Sequence, residues 1–241
     1  MINTSQSPYS IIKECRATIH VFNRYGFSAN NSIPLEQIEK DKFSDYGFFV
    51  DLLNSYEKLD ESFVNVFEHY EIPVLTDYLR RSHKYYLTHR LPQIETLISD
   101  KIAHGVKQPI LNVLYEFFSL YKADLEEHFQ EEEELVFPLA DRLYAHQTDQ
   151  HDIQNIYWIK SNKERALSFI ESHKKEDSDI REINSAFLGY KGSAEELKAH
   201  EVLLKELNDF QKDLRIHAHI EDFVFSKKVY SLLKTFNQNL N

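Results

Sequence analysis

The chain is predicted to be all-α: an up-down four-helix bundle preceded by a small helical N-terminal region. Three observations carry this. Five Gly and six Pro in 241 residues leave little material for tight turns. Apolar residues recur at helical spacing wherever a period can be read. A hydrophobic share of 42% supplies a core, yet no uninterrupted apolar run is long enough to span a membrane.

The N-terminal region, residues 1–70, holds a predicted helix from Tyr9 to Arg24. A turn-rich stretch over Tyr25–Ser32 and apolar helical material around Phe48–Leu59 follow it. Pro73 suits the first turn of a new helix, so the boundary falls near Glu71 and the bundle occupies residues 71–241. Helix A is predicted over about Pro73–Ile102, kinked at Pro92, and helix B from Pro109 past His128, broken or bent at Pro138. Ala145–Asp152 reads as a loop, and helix C lies within Asp152–Leu188, ended by Gly189 and Gly192. Helix D opens at Ser193, where Glu196 completes a capping box, and runs beyond His217. Short connections make the four antiparallel.

Charge and composition exclude several classes. The formal net charge of −11 argues against a general nucleic-acid binder. Cys15 is the single cysteine, which excludes an internal disulfide and a cysteine-rich zinc or iron–sulfur site on one chain. Residues 3–7 lack the basic-then-apolar profile of an export leader, so the expected compartment is the cytoplasm, with no membrane partner. No Gly-rich phosphate loop occurs, no His has Glu at −3, and His200-Glu201 lacks a second His at position 204.

An internal repeat carries the chemistry. Asp124-Leu125-x-x-His128-x-x-x-Glu132 in helix B matches Asp213-Leu214-x-x-His217-x-x-x-Glu221 in helix D. Upstream, Leu114, Phe118, Tyr121 and Leu125 stand beside Leu203, Leu207, Phe210 and Leu214, so each His and Glu continues an apolar stripe. Residues four apart on a helix lie about 5–6 Å apart at Cβ and can reach one point. A carboxylate on an inner face needs a cation, and imidazole with carboxylate suits iron, zinc or manganese. Composition alone gives roughly two of the 12 His an acid at +4, where a surface pair is the ordinary outcome. The repeated pattern and its apolar setting exceed that expectation.

Helix A offers His83 on the ladder Leu75, Leu79, His83, Leu87, and helix C offers His173 with Phe169, Ile180 and Phe187. His83 precedes His128 by 45 residues and His173 precedes His217 by 44. Two matched hairpins thus supply His83, His128, Glu132, His173, His217 and Glu221. This set suits two metal ions, each with two imidazoles, bridged by both carboxylates. Glu131–Glu134 otherwise reads as a solvated acidic face, with only Glu132 on the His128 stripe. Asp124 and Asp213 are candidates to hold the ligands' other ring nitrogens. His20, His69, His89, His146, His151 and His200 read as solvated or half-buried, and His104 as a helix-end charge or, alternatively, a residue lining an entry to the bundle.

With these residues in view, the chain resembles the hemerythrin-like di-iron proteins and, more closely, the repair-of-iron-centres family. The resemblance covers about Pro73–Lys228 and rests on Ser82-His83-Lys84-Tyr85-Tyr86, Leu91-Pro92, His128 to Glu132 with Val136-Phe137-Pro138, His173, and His217 to Glu221. It implies a hemerythrin-like bundle with two iron ions, oxo- or hydroxo-bridged, on the same six residues. The role it implies is repair of iron–sulfur clusters after nitrosative or oxidative damage by iron donation, with iron–sulfur proteins as clients. Binding or sensing of oxygen or nitric oxide, and nitric oxide reduction at the di-iron site, are the alternatives. The sequence names no acid, base or electron-delivery residue for the last, and it leaves oligomeric state open. Two departures stand out. Ser226-Lys227 replaces the family's Phe-Pro after the last Glu. Val21–Phe27 resembles the lead-in to the family's adjacent cysteines, but Ser28-Ala29-Asn30-Asn31 follows.

Overall fold

The computed structural model describes residues 2–56, 63–103, 109–173 and 194–239. Pro8–Glu14 form α1, opened by a reciprocal Ser7/Ser10 capping box. The helix expected over Tyr9–Arg24 is interrupted there: Cys15 is extended, Arg16–Thr18 make a 3₁₀ turn, and α2 covers Ile19–Arg24. Gly26, at φ 76°, supplies the left-handed residue that turns the chain after α2. The Asp45 carboxylate accepts from the Phe48 amide and starts α3, Tyr46–Ser55.

Three rods of the bundle share an unforeseen feature. Rod A is α4, Ile72–Tyr85, then a wide π turn over Tyr86–Arg90, then α5, Leu91–Ala103. Rod B repeats the plan with α6, Pro109–Glu131, a π turn over Glu132–Val136, and α7, Phe137–His146. Rod C begins as α8, Ile153–His173, whose start is capped by Asp152. Rod D is α9, Ala194–Ile220, a π turn over Glu221–Phe225, and α10, Ser226–Asn239. The kinks expected at Pro92 and Pro138 are these wide turns, with each proline seated in the first turn of the following helix. Proline is not their common cause, because rod D makes the same turn into Ser226-Lys227. The Ser193 capping box, His104 and the later part of helix C lie outside the described residues.

α5 packs on α6, α7 on α8 and on α10, and α9 on α4 and α5, as the up-down order requires. Buried apolar side chains fall into two clusters. One joins Leu75, Tyr78, Leu79, Val136, Leu139, Ile220 and Val224 to the N-terminal residues Val21, Phe22, Phe48, Phe49 and Leu52. The other contains Tyr86, Leu91, Leu114, Phe118, Phe129, Leu207 and Phe210. Along rods A, B and D the change of cluster falls at His83, Glu132 and His217. Among the described residues no helix is long and apolar enough to cross a membrane.

Candidate metal centre

Rods A, B and D deliver their candidates at the level where the apolar clusters meet. α4 carries His83 near its end, 2% exposed, and α6 carries His128, with Glu132 opening the π turn and fully buried. α9 carries His217, and Glu221 opens the matching turn of rod D; both are buried. The described backbone of α8 reaches His173; the His173 side chain lies outside the described residues. The i, i+4 register of each His and Glu ends where the wide turn begins. Such turns recur at functional sites.

His83, Glu132 and His217 converge, with ligand atoms all within 4.8 Å of one another. Glu132 faces two imidazoles: its Oε2 lies 3.1 Å from His83 Nε2, and its Oε1 2.9 Å from His128 Nε2. His217 Nε2 lies 3.3 Å from Glu221 Oε2. Five of the six predicted residues are thus linked through close contacts of this kind.

The geometry fits a cation. His83 Nε2 is near Glu132 yet has no hydrogen bond among the described residues, and neither ring nitrogen of His217 has one. Buried polar atoms are rarely left so. Donor atoms that crowd together without aiming hydrogen bonds at each other are arranged about a common point, and imidazole with carboxylate is a donor set for iron, zinc or manganese. The surroundings strengthen any charge there. The His83 ring stacks with those of Phe129 and Phe137, centroids 4.0 and 5.3 Å away. The rings of Tyr86 and Tyr78 lie 5.6 and 6.1 Å from that of His217.

Burial alone lowers the pKa of His83, but Glu132 and Glu133 outweigh it and raise the group to about 9. Without a cation beside it, this imidazole therefore favours a proton that offsets the buried negative charge of Glu132. His217 moves the other way: burial dominates the opposing pull of Glu221 and lowers its pKa. A cation entering such a cluster displaces protons.

The structure corrects several neighbouring expectations. Glu133, read as part of a solvated face, places Oε1 3.1 Å from His83 Nδ1. Asp213 does not support a ring nitrogen of His217. It is fully buried and accepts from Arg24 Nη2 at 2.8 and 2.9 Å, and from the Tyr56 hydroxyl. Burial alone would raise the Asp213 pKa, but Arg24 holds it below the ordinary value. Arg24 also lies over the rings of Tyr78, Tyr85 and Tyr86. Its counterpart Asp124 is exposed. His20 and His146 are buried rather than solvated or half-buried. Nothing in the sequence singles out Arg24 within its predicted helix or pairs it with Asp213.

Comparison with known proteins gives a consistent result. The hemerythrin HHE cation binding domain matches residues 74–229. The iron-sulfur cluster repair protein ScdA of Staphylococcus haemolyticus (strain JCSC1435) is 21% identical over 232 residues, spanning 95% of this chain and 99% of the relative. No solved structure gives a significant match. The domain covers well over half the chain, including every rod that bears a candidate ligand, and the protein belongs to the hemerythrin HHE cation-binding family.

Proposed function

We propose that this protein is a non-haem di-iron protein that repairs iron–sulfur clusters damaged by nitrosative or oxidative stress, by donating iron to client proteins in the cytoplasm. The observation that carries the reading is Glu132, whose two oxygens approach imidazoles of different rods, as expected of a carboxylate shared by two cations. The name of the staphylococcal relative supports the repair role.

In this reading His83, His217, His128 and His173 would hold the two irons, with Glu132 and Glu221 as the carboxylate ligands between them. The Phe and Tyr walls exclude water from the inner position. His128, with a side chain 14% exposed against 2% for His83, leaves the outer position nearer solvent. Iron bound there supplies open coordination positions for a small ligand and a store of metal held without thiolates. Residues 1–70 form the N-terminal region, which packs on the bundle through a shared apolar cluster.

Iron analysis after anaerobic reconstitution tests the metal assignment, with about two per chain expected on this ligand count; well under one per chain overturns it. Mixing the loaded protein with a cluster-depleted dehydratase then tests donation. Recovered activity is expected, whereas metal retention with no recovery indicates a carrier or sensor of oxygen or nitric oxide. Nitrous oxide formation under turnover indicates reduction instead.

A further inference from the structure

The described residues contain one connected run of polar groups leading from the protein surface to a candidate ligand. His83 Nδ1 lies 3.1 Å from Glu133 Oε1. The other oxygen of Glu133 accepts from Arg80 Nε at 3.2 Å, and Arg80 Nη1 lies 3.1 Å from Asp141 Oδ2. The run crosses from α4 to the π turn of rod B and on to α7. Arg80, Glu133 and Asp141 are each roughly one third to two fifths exposed, at 40%, 36% and 38%, while His83 is 2% exposed. Arg80 and Asp141 line a surface cleft with Pro138, Arg142 and Asn155.

We propose that Glu133 is a positioning residue for the metal centre: held by Arg80, which Asp141 braces in turn, it accepts the Nδ1–H of His83 and so turns Nε2 toward the cation. The inference rests on the metal assignment above. Its physical content is tautomer and ring angle. An imidazole coordinates through one nitrogen only when the other carries the proton, and an acceptor on that side fixes both. His217 has no such acceptor among the described residues, so the two imidazoles that converge with Glu132 in the buried group are unequally supported. The wide turn makes the contact possible. It places Glu132 and Glu133, neighbours in sequence, on opposite nitrogens of a single ring.

Positioning and simple charge predict different outcomes. Removing the Arg80 cation strengthens metal binding if charge alone matters, and weakens it if Arg80 holds Glu133 in place. Cobalt(II) affinity, measured by competition with a chelator, and the visible spectrum of the cobalt-loaded protein provide two readouts independent of activity. Glu133→Ala is expected to weaken affinity about 10–100-fold and to alter the spectrum. Glu133→Gln, which keeps an amide oxygen as acceptor, is expected to restore most of the affinity, and Arg80→Ala to weaken it several-fold. Glu134→Ala, an exposed neighbour bonded to Gln130, leaves both readouts unchanged. Unchanged affinity in Glu133→Ala, a Gln variant as weak as the Ala variant, or tighter binding by Arg80→Ala overturns the positioning role while leaving the metal assignment intact. No uptake by the unsubstituted protein overturns both.

Discussion

Glu132 sits where two rods present imidazoles to one buried carboxylate, so its removal strands groups on both. Glu132→Ala is expected to take iron below one per chain and to cost about 3 kcal/mol or more in stability of the loaded protein, read by metal analysis and denaturant melting. His20 makes a second residue-scale prediction. Burial, opposed by Asp213 and assisted by Arg90 and Arg24, lowers its pKa from 6.5 to about 4. The unfolded chain therefore takes up this proton first as pH falls. The contribution is full above about pH 6.5 and is lost as pH falls toward 4. Between pH 7 and pH 5 it amounts to about 2 kcal/mol, a drop in the urea midpoint that His20→Gln should lack. The sequence makes Glu132 and Glu221 legible because a partner His lies one turn away on the same apolar stripe. Glu133 is illegible for the converse reason: His83, its partner, is 50 residues distant on another rod.

At the scale of elements, the N-terminal helices reach the metal level through Arg24, whose Nη2 grips Asp213 one turn before His217. Arg24→Met or Asp213→Asn leaves the other group buried without its charge partner and is expected to cost about 3–5 kcal/mol. The double variant Arg24→Met with Asp213→Leu should recover most of that loss, because two desolvated charges go together; urea unfolding measures all three. The repeat itself misleads here. Asp124 and Asp213 occupy equivalent sequence positions, but only Asp213 faces a docked arginine, while Asp124 faces solvent. The wide turns were likewise visible only as prolines. Since rod D has the turn without one, Pro138→Ala is expected to keep the Glu132–Val136 geometry and normal iron uptake, with a stability change within about 1 kcal/mol. A crystal structure of the variant and its iron content check this.

For the whole molecule, the four rods, their order and the polar level were readable from apolar periodicity and short connections. Where the N-terminal helices pack on the bundle was not. The apolar faces of α2 and α3 announce that they are buried, but amphipathicity does not name a partner, and they join Leu75, Tyr78 and Leu79 in one cluster. A chain beginning at residue 71 is therefore expected to expose much of that cluster and to associate or unfold, as gel filtration and circular dichroism would reveal. The polar level between the clusters has a further consequence for how the bundle finds its alignment. A rod displaced by one turn, about 5.4 Å, would thrust a carboxylate among phenylalanines and set leucines against imidazoles. Such a mis-stacked arrangement is penalised on both sides at once, so the ionisable tier acts as a latch on vertical alignment even before any cation arrives.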